Sequence, residues 1–398
     1  MREELLATAR DSGFAPVDLS LGVACDPEPD AADAWAAEGG EPGYPKSRGF
    51  AVLRSAAAAA LRRRYGVSVP PDAVAACAGS KEFIGSAALF LRQEHGGGRD
   101  TVLIPRLRYP TYGVGAALAG MRTVEVPTDD AFRMRLDLLP ASDLRRALCL
   151  WVNSPANPTG VVEPLAAVAR WGREHGVIVL SDEAYTDLTW DGSPGTILSS
   201  GLDGVLAVHS MSKASHAPGL RVGFYAGDPR LVAALVVRRR DAGLMAAAPA
   251  QVMAARLLDD DRRVAGQRAR TLRRLTGLVD LLNGAGLRCA RPEGAMFVWL
   301  RTPGGDGAAF ARLAARTAGL VLAPGAQYGP AGHPYVRIAA TEEQETVEPR
   351  IGLLATALGR APAPPSPGDT PPGDTPPGPA TAGATKPPRA RNREGALP

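Results

Sequence analysis

Between residues 73 and 226 the chain alternates short apolar runs with stretches of helical length. Ala73–Ala78, Thr101–Pro105, Arg122–Val126, Leu148–Val152, Val177–Leu180, Val205–Ser210 and Val222–Ala226 have the length and β-branched content of strands. Between them, Lys81 to Arg92 sets Phe83, Ala87, Phe90 and Leu91 on one helical face. Pro164 to His175 is apolar at Leu165, Val168, Ala169 and Trp171, and Gly176 predicts its stop before the next strand. Strands alternating with helices predict an α/β fold with a mostly parallel sheet wrapped by helices. After about residue 230 the pattern changes: long Arg- and Ala-rich helices lead to strand-like runs at Ala295–Leu300, Leu320–Ala323 and Tyr335–Ala339. These predict a smaller α+β domain.

Four regions follow. Residues 1–40 form an N-terminal segment expected to pack with the small domain, 41–255 the large domain, and 256–358 the small one. Residues 359–398 read as a Pro-rich tail. From Ala361 onward there are 12 prolines and little apolar content, so burial cannot offset the entropy of ordering. The rest is long enough to bury a substantial core, and 45% hydrophobic with 22% charged residues is ordinary globular usage.

Charge and cysteine usage mainly exclude. The net charge of +4 comes without a basic face interleaved with aromatics, so nucleic acid is not implied. The run Arg238–Arg239–Arg240 is expected on a solvated or interface face. Cys25, Cys77, Cys149 and Cys289 are far apart and lack metal-ligand spacing; Cys77 and Cys149 read as buried thiols. Neither an apolar signal core nor an 18-residue apolar stretch is found, so a cytoplasmic protein with no membrane partner is expected.

Ligands of doubly wound sheets collect beyond the carboxyl ends of the strands. There the sequence gathers its polar groups. Gly79-Ser80-Lys81 opens a helix, where free amides and the helix dipole favour a phosphate. Tyr109 and Tyr112 follow the second strand, and Asn153-Ser-Pro-Ala-Asn157-Pro-Thr-Gly160 the fourth. Ser181-Asp182-Glu183-Ala184-Tyr185 follows the fifth, and Met211-Ser212-Lys213, with Gly219 and Arg221 beyond, the sixth. Singly, each has a bland explanation: a helix cap, a turn, a surface lysine. Together they supply an amine, an acid, phenol and amide donors and a phosphate cradle, the set that pyridoxal phosphate (PLP) requires.

Ser210-Met-Ser-Lys213 with Gly219 and Arg221 resembles the lysine signature of the class I/II aminotransferases, the fold-type I PLP enzymes. Asn157-Pro-Thr-Gly160, Asp182 with Tyr185, Tyr44-Pro45 with Gly49 and Arg54, and Tyr335-Val-Arg337-Ile resemble that family in order and spacing. The resemblance implies that Lys213 carries PLP as a Schiff base and shuttles the proton at the substrate α-carbon. It implies that Asp182 pairs with the pyridine nitrogen, that Asn157 and Tyr185 bond the phenolate oxygen, and that Tyr109 stacks on the ring. Ser80, Lys81 (through its backbone), Ser210 and Arg221 would hold the phosphate, with Tyr44 reaching it from the partner of a homodimer with shared active sites. Arg337 would clamp the substrate α-carboxylate, assisted by the Gly22 backbone and Asn157.

Gly79-Ser-Lys-Glu82, Tyr109-Pro-Thr-Tyr112 and Val208-His-Ser-Met-Ser-Lys213 further resemble the actinobacterial N-succinyldiaminopimelate aminotransferases of lysine biosynthesis. That implies glutamate as donor and N-succinyl-2-amino-6-oxopimelate as acceptor. Departures lie at Lys46 and Arg48, at residues 214–216, at Gly22-Val-Ala and at Ala326–Gln327. All are on loops expected to border the substrate, which leaves open a paralogue with another acceptor in a specialised pathway, or a fold-type I lyase or synthase. A PLP-sensing regulator would need a DNA-binding module, and a catalytically dead protein would not keep this residue set. A distal carboxylate would need a second cation, for which Lys46, Arg48 and Arg108 are candidates.

Overall fold

The computed structural model describes residues 1–27 and 44–360; the Pro-rich tail expected from the sequence lies outside the described residues. The strand-length apolar runs build a seven-stranded sheet. It is formed by β2 (Val74–Cys77), β3 (Thr101–Pro105), β4 (Arg122–Val126), β5 (Ala147–Asn153), β6 (Ile178–Asp182), β7 (Val205–Ser210) and β8 (Gly223–Gly227), in the order β2-β8-β7-β6-β5-β3-β4. Only β8 runs antiparallel to its neighbours, β2 and β7. The other pairs are parallel.

Because the parallel strands are covered on both faces, they read as continuous apolar runs. One face packs on α2 (Ala51–Tyr65), α6 (Leu165–His175) and α8 (Ala248–Asp259) through residues such as Leu61, Val168 and Leu257. The other packs on α3 (Ser80–His95), α4 (Thr111–Leu118) and α7 (Pro229–Asp241) through Phe83, Ala116 and Leu235. The helix α6 ends, as its sequence predicts, where Gly176 takes the left-handed conformation at φ +61°.

A second core surrounds a three-stranded antiparallel sheet of β9 (Phe297–Arg301), β12 (Tyr335–Ala339) and β11 (Ala323–Pro324). The helices α1 (Arg2–Asp11), α9 (Asp261–Gly284), α10 (Gly307–Ala318) and α11 (Gln344–Ala357) contribute to that core. The N-terminal segment joins it: β1 (Val17–Asp18) pairs in parallel with β10 (Leu320–Val321). The apolar run Leu320–Ala323 thus splits between two sheets. No helix of the described residues is long and apolar enough to cross a membrane, and no His/Cys/Asp/Glu cluster among them could hold a metal.

One expectation fails. Arg239 is fully buried rather than solvated. Its guanidinium donates to Glu82 Oε1 at 2.9 Å and Oε2 at 2.6 Å, and to Ser86 Oγ at 2.9 Å. It lies 5.6 Å from the rings of both Phe83 and Tyr225. Glu82 Oε2 also accepts the Ala78 amide at 3.1 Å, so this ion pair braces the turn that opens α3.

Candidate active site

The parallel strands end on one side of the sheet, and there a cavity of about 290 Å³ opens. Its walls include Gly22, Ser80, Lys81, Tyr109, Asn157, Asp182, Tyr185, Ser210, Lys213, Arg221 and Arg337. Of the candidate site residues, only Tyr44 stands apart, 93% exposed and away from the cavity of its own chain.

Lys213 follows β7 and points into this chamber, where its Nζ donates to the Gly22 carbonyl at 2.6 Å. Burial lowers its pKa to about 8, helped by the nearby cations Arg337 and Arg221 and opposed by Asp182. Nζ is therefore a base that holds or gives up a proton near neutral pH. The approach at Gly22 is close: a Cβ there would lie 3.1 Å from the Phe297 ring and 3.4 Å from Lys213 Nζ.

Asp182, the last residue of β6, is 4% exposed. Burial raises its pKa to about 6, against the hydrogen bonds that favour the carboxylate. Those bonds come from Tyr112 Oη to Oδ2 at 2.8 Å and from the Ala184 amide to Oδ1 at 3.2 Å. Tyr112 itself is fully buried and stacks on Trp151 with ring centroids 5.0 Å apart.

One end of the cavity suits a phosphate. Ser80 and Lys81 begin the 16-residue α3, so their amides lack helical carbonyl partners. Gly79 before them sits at φ +86°, and a Cβ there would lie 2.6 Å from Arg221 Nη2. Both the backbone angle and the approaching guanidinium therefore call for glycine.

At the other end Arg337 is 6% exposed, stacked 4.0 Å from the Phe297 ring centroid and 5.1 Å from that of Tyr328. It donates to Asn157 Oδ1 at 2.8 Å and to the Ser20 carbonyl, while its Nε is buried with no partner. Among the described residues no carboxylate pairs with it, in contrast to the buried Arg239. Asn157 is fixed in turn by its amide, which donates to Asn153 Oδ1 at 2.6 Å. Tyr185 is buried edge-on against Phe297, centroids 5.4 Å apart, and burial pushes its phenol pKa up.

The cations considered for a distal carboxylate do not line the cavity. Arg108 pairs with Glu125 at 2.8 Å, Arg48 donates to the Asp72 carbonyl at 2.6 Å, and Lys46 is exposed outside it. Sequence reasoning passed over Phe297 and gave Tyr112 no role. A signal for Tyr112 was available in its place in the first turn of the helix that follows the second strand, at the carboxyl edge of the sheet.

A family model described as aminotransferase class I and II matches residues 17–350. A probable aminotransferase of Mycobacterium tuberculosis is 40% identical over 88% of this chain and 82% of its own length. The 4-dedimethylamino-4-oxo-anhydrotetracycline transaminase of Streptomyces rimosus is also 40% identical, over 86% of this chain and 93% of its own. Among solved structures, a probable N-succinyldiaminopimelate aminotransferase from Thermus thermophilus superposes with a TM-score of 0.81. It is 29% identical and covers 90% of this chain and 99% of its own.

Proposed function

The chain belongs to the class I and II aminotransferases, and from that premise we propose that its acceptor is N-succinyl-2-amino-6-oxopimelate and its donor glutamate. It is a PLP-dependent aminotransferase, acting on amino acids and 2-oxo acids.

The cavity fits PLP by its donor set. A buried carboxylate (Asp182) faces the same chamber as a half-buried amine (Lys213), and Gly79 leaves room for Arg221 beside the α3 amides. In this reading Lys213 carries the cofactor, Asp182 pairs with its ring nitrogen, and Asn157 and Tyr185 bond its phenolate. Tyr109 covers the ring, while Ser80, the backbone of Lys81, Ser210 and Arg221 hold the phosphate. Bound PLP supplies an aldehyde that joins the amine and a ring that withdraws electrons, so that the α-carbon proton can leave. Lys213 Nζ takes that proton and returns it, its lowered pKa suiting both directions. Phe297 and Ile84 help to keep water from the chamber, and Asn157 steadies the Arg337 fork.

A single observation carries the substrate class: Arg337, a buried guanidinium on the cavity wall without a carboxylate of its own. The α-carboxylate of an amino or 2-oxo acid supplies the missing counter-ion. Arg337→Gln should lower kcat/KM for every amino-acid donor by about 30-fold or more, since truncating one side of a buried charged pair costs about 2–5 kcal/mol. An effect below tenfold, with cofactor still bound, would remove the carboxylate from this place.

The likeness to the Thermus structure supports the succinylated acceptor. A second reading has its own support. Leu21 and Val23, each 44% exposed, give the cavity an apolar rim, and the Streptomyces rimosus relative is by name a transaminase of a fused-ring ketone. A half-reaction screen over both acceptor classes separates the two readings. The 93% exposure of Tyr44 also supports a homodimer in which this residue serves the partner's phosphate.

A further inference from the structure

We propose that a second cavity, opening beside the Lys213 chamber, is the subsite for the distal arm of the substrate, and that the Lys81 ammonium reads the carboxylate at its end. The proposal rests on the reading of the substrate as a dicarboxylic amino acid or 2-oxo acid. This second cavity measures about 300 Å³ and shares Leu21, Lys81, Tyr109 and Arg337 with the first. A ligand whose α-carboxylate meets Arg337 therefore has this space as the adjoining room for its side chain.

The walls suit a long arm of mixed character. Leu322 and Ala323 offer an apolar side for methylene groups, while the exposed Gln327 offers an amide that can pair with an amide linkage in the arm. Charge decides what the end of the arm is. Arg2 also reaches this cavity, but Asp18 neutralises it through contacts of 2.8 Å to Nε and 2.5 Å to Nη2. Arg337 is committed to the α end. Lys81 remains: its side chain is exposed and has neither ion pair nor hydrogen bond among the described residues, and it lines both cavities. Its place in the first turn of α3 separates two tasks, the backbone amide facing the phosphate end and the side chain facing the arm. The three arginine and lysine candidates suggested by sequence stand elsewhere, with Arg108 already paired to Glu125.

The test uses PLP-loaded enzyme and single-turnover half-reactions, followed by the cofactor absorbance, with N-succinyl-LL-diaminopimelate, glutamate and alanine. Lys81→Met should reduce kcat/KM for the succinylated donor by about 10- to 100-fold more than for alanine, mostly through KM. Lys81→Arg should recover most of that difference. Gln327→Glu, which sets a negative charge in the arm's path, should lower the same ratio. Equal losses for the three donors, or none, would overturn the subsite. If wild-type enzyme ignores the succinylated donor but prefers glutamate to alanine through Lys81, the subsite stands and the succinylated acceptor falls. If wild-type enzyme shows no preference for a distal carboxylate, the subsite itself is overturned.

Discussion

Tyr112→Phe deletes one oxygen atom and tests how the acid of the site is held. The phenol donates to Asp182 Oδ2 at 2.8 Å, and both groups are buried. The ring, stacked on Trp151, keeps its place in the variant. The bond favours the carboxylate, so its loss raises the Asp182 pKa. A hydrogen bond to a charged group contributes about 1.5–3 kcal/mol, and one pKa unit corresponds to about 1.4 kcal/mol. From about 6 the group should therefore move up by roughly 1–2 units in the apoprotein. At pH 7 the ionised fraction then falls from about nine-tenths to between a half and a tenth, by the same relation. Cofactor that pairs its ring nitrogen with this carboxylate should bind about two- to tenfold more weakly at pH 7, and as tightly as to wild type at pH 9. The assay is PLP titration of apoprotein across pH 5.5–9, read by quenching of tryptophan fluorescence. The wild-type profile serves as reference for the titration of the cofactor itself. A loss of affinity equal at all pH values would mean that Tyr112 acts by packing alone. An unchanged profile would refute the argument outright.

Arg239→Met takes the cation from the half-buried Glu82 carboxylate, so urea unfolding should show a loss of about 1–3 kcal/mol. The double variant with Glu82→Gln should recover much of it, and a loss below 1 kcal/mol would contradict the buried pair. Mixing Tyr44→Ala with Lys213→Ala and allowing subunits to exchange should restore some activity, since one intact site re-forms in the mixed dimer. A fully active monomer by light scattering would end that idea.

Most of the fold was legible because each parallel strand is buried on both faces and therefore stands out as an apolar run. Thr101–Pro105, Arg122–Val126, Val205–Ser210 and Tyr335–Ala339 match their expected limits. The candidate site was legible for a related reason: chain reversal after each strand puts its polar residues on one rim, so Asn157, Asp182 and Lys213 meet there. Long-range pairing was harder to read. Arg239 looked solvated within three arginines, although it continues the buried stripe of Leu231 and Leu235 at a spacing of four. Its partner Glu82 lies 157 residues away, beyond any local pattern. Likewise, nothing local to Arg108 announced Glu125 on the neighbouring strand β4, which removed it from the candidates for the distal carboxylate.

In the proposed mechanism Lys213 is the residue that carries the cofactor. Borohydride reduction of PLP-loaded protein, followed by proteolysis and mass spectrometry of the peptides, tests it most directly. The pyridoxyl group should be found on the peptide containing Lys213, at close to one per chain. Its appearance on Lys81 or Lys46 instead, or an absence of labelling on Lys213 in protein that is active, would contradict the assignment and the mechanism built on it.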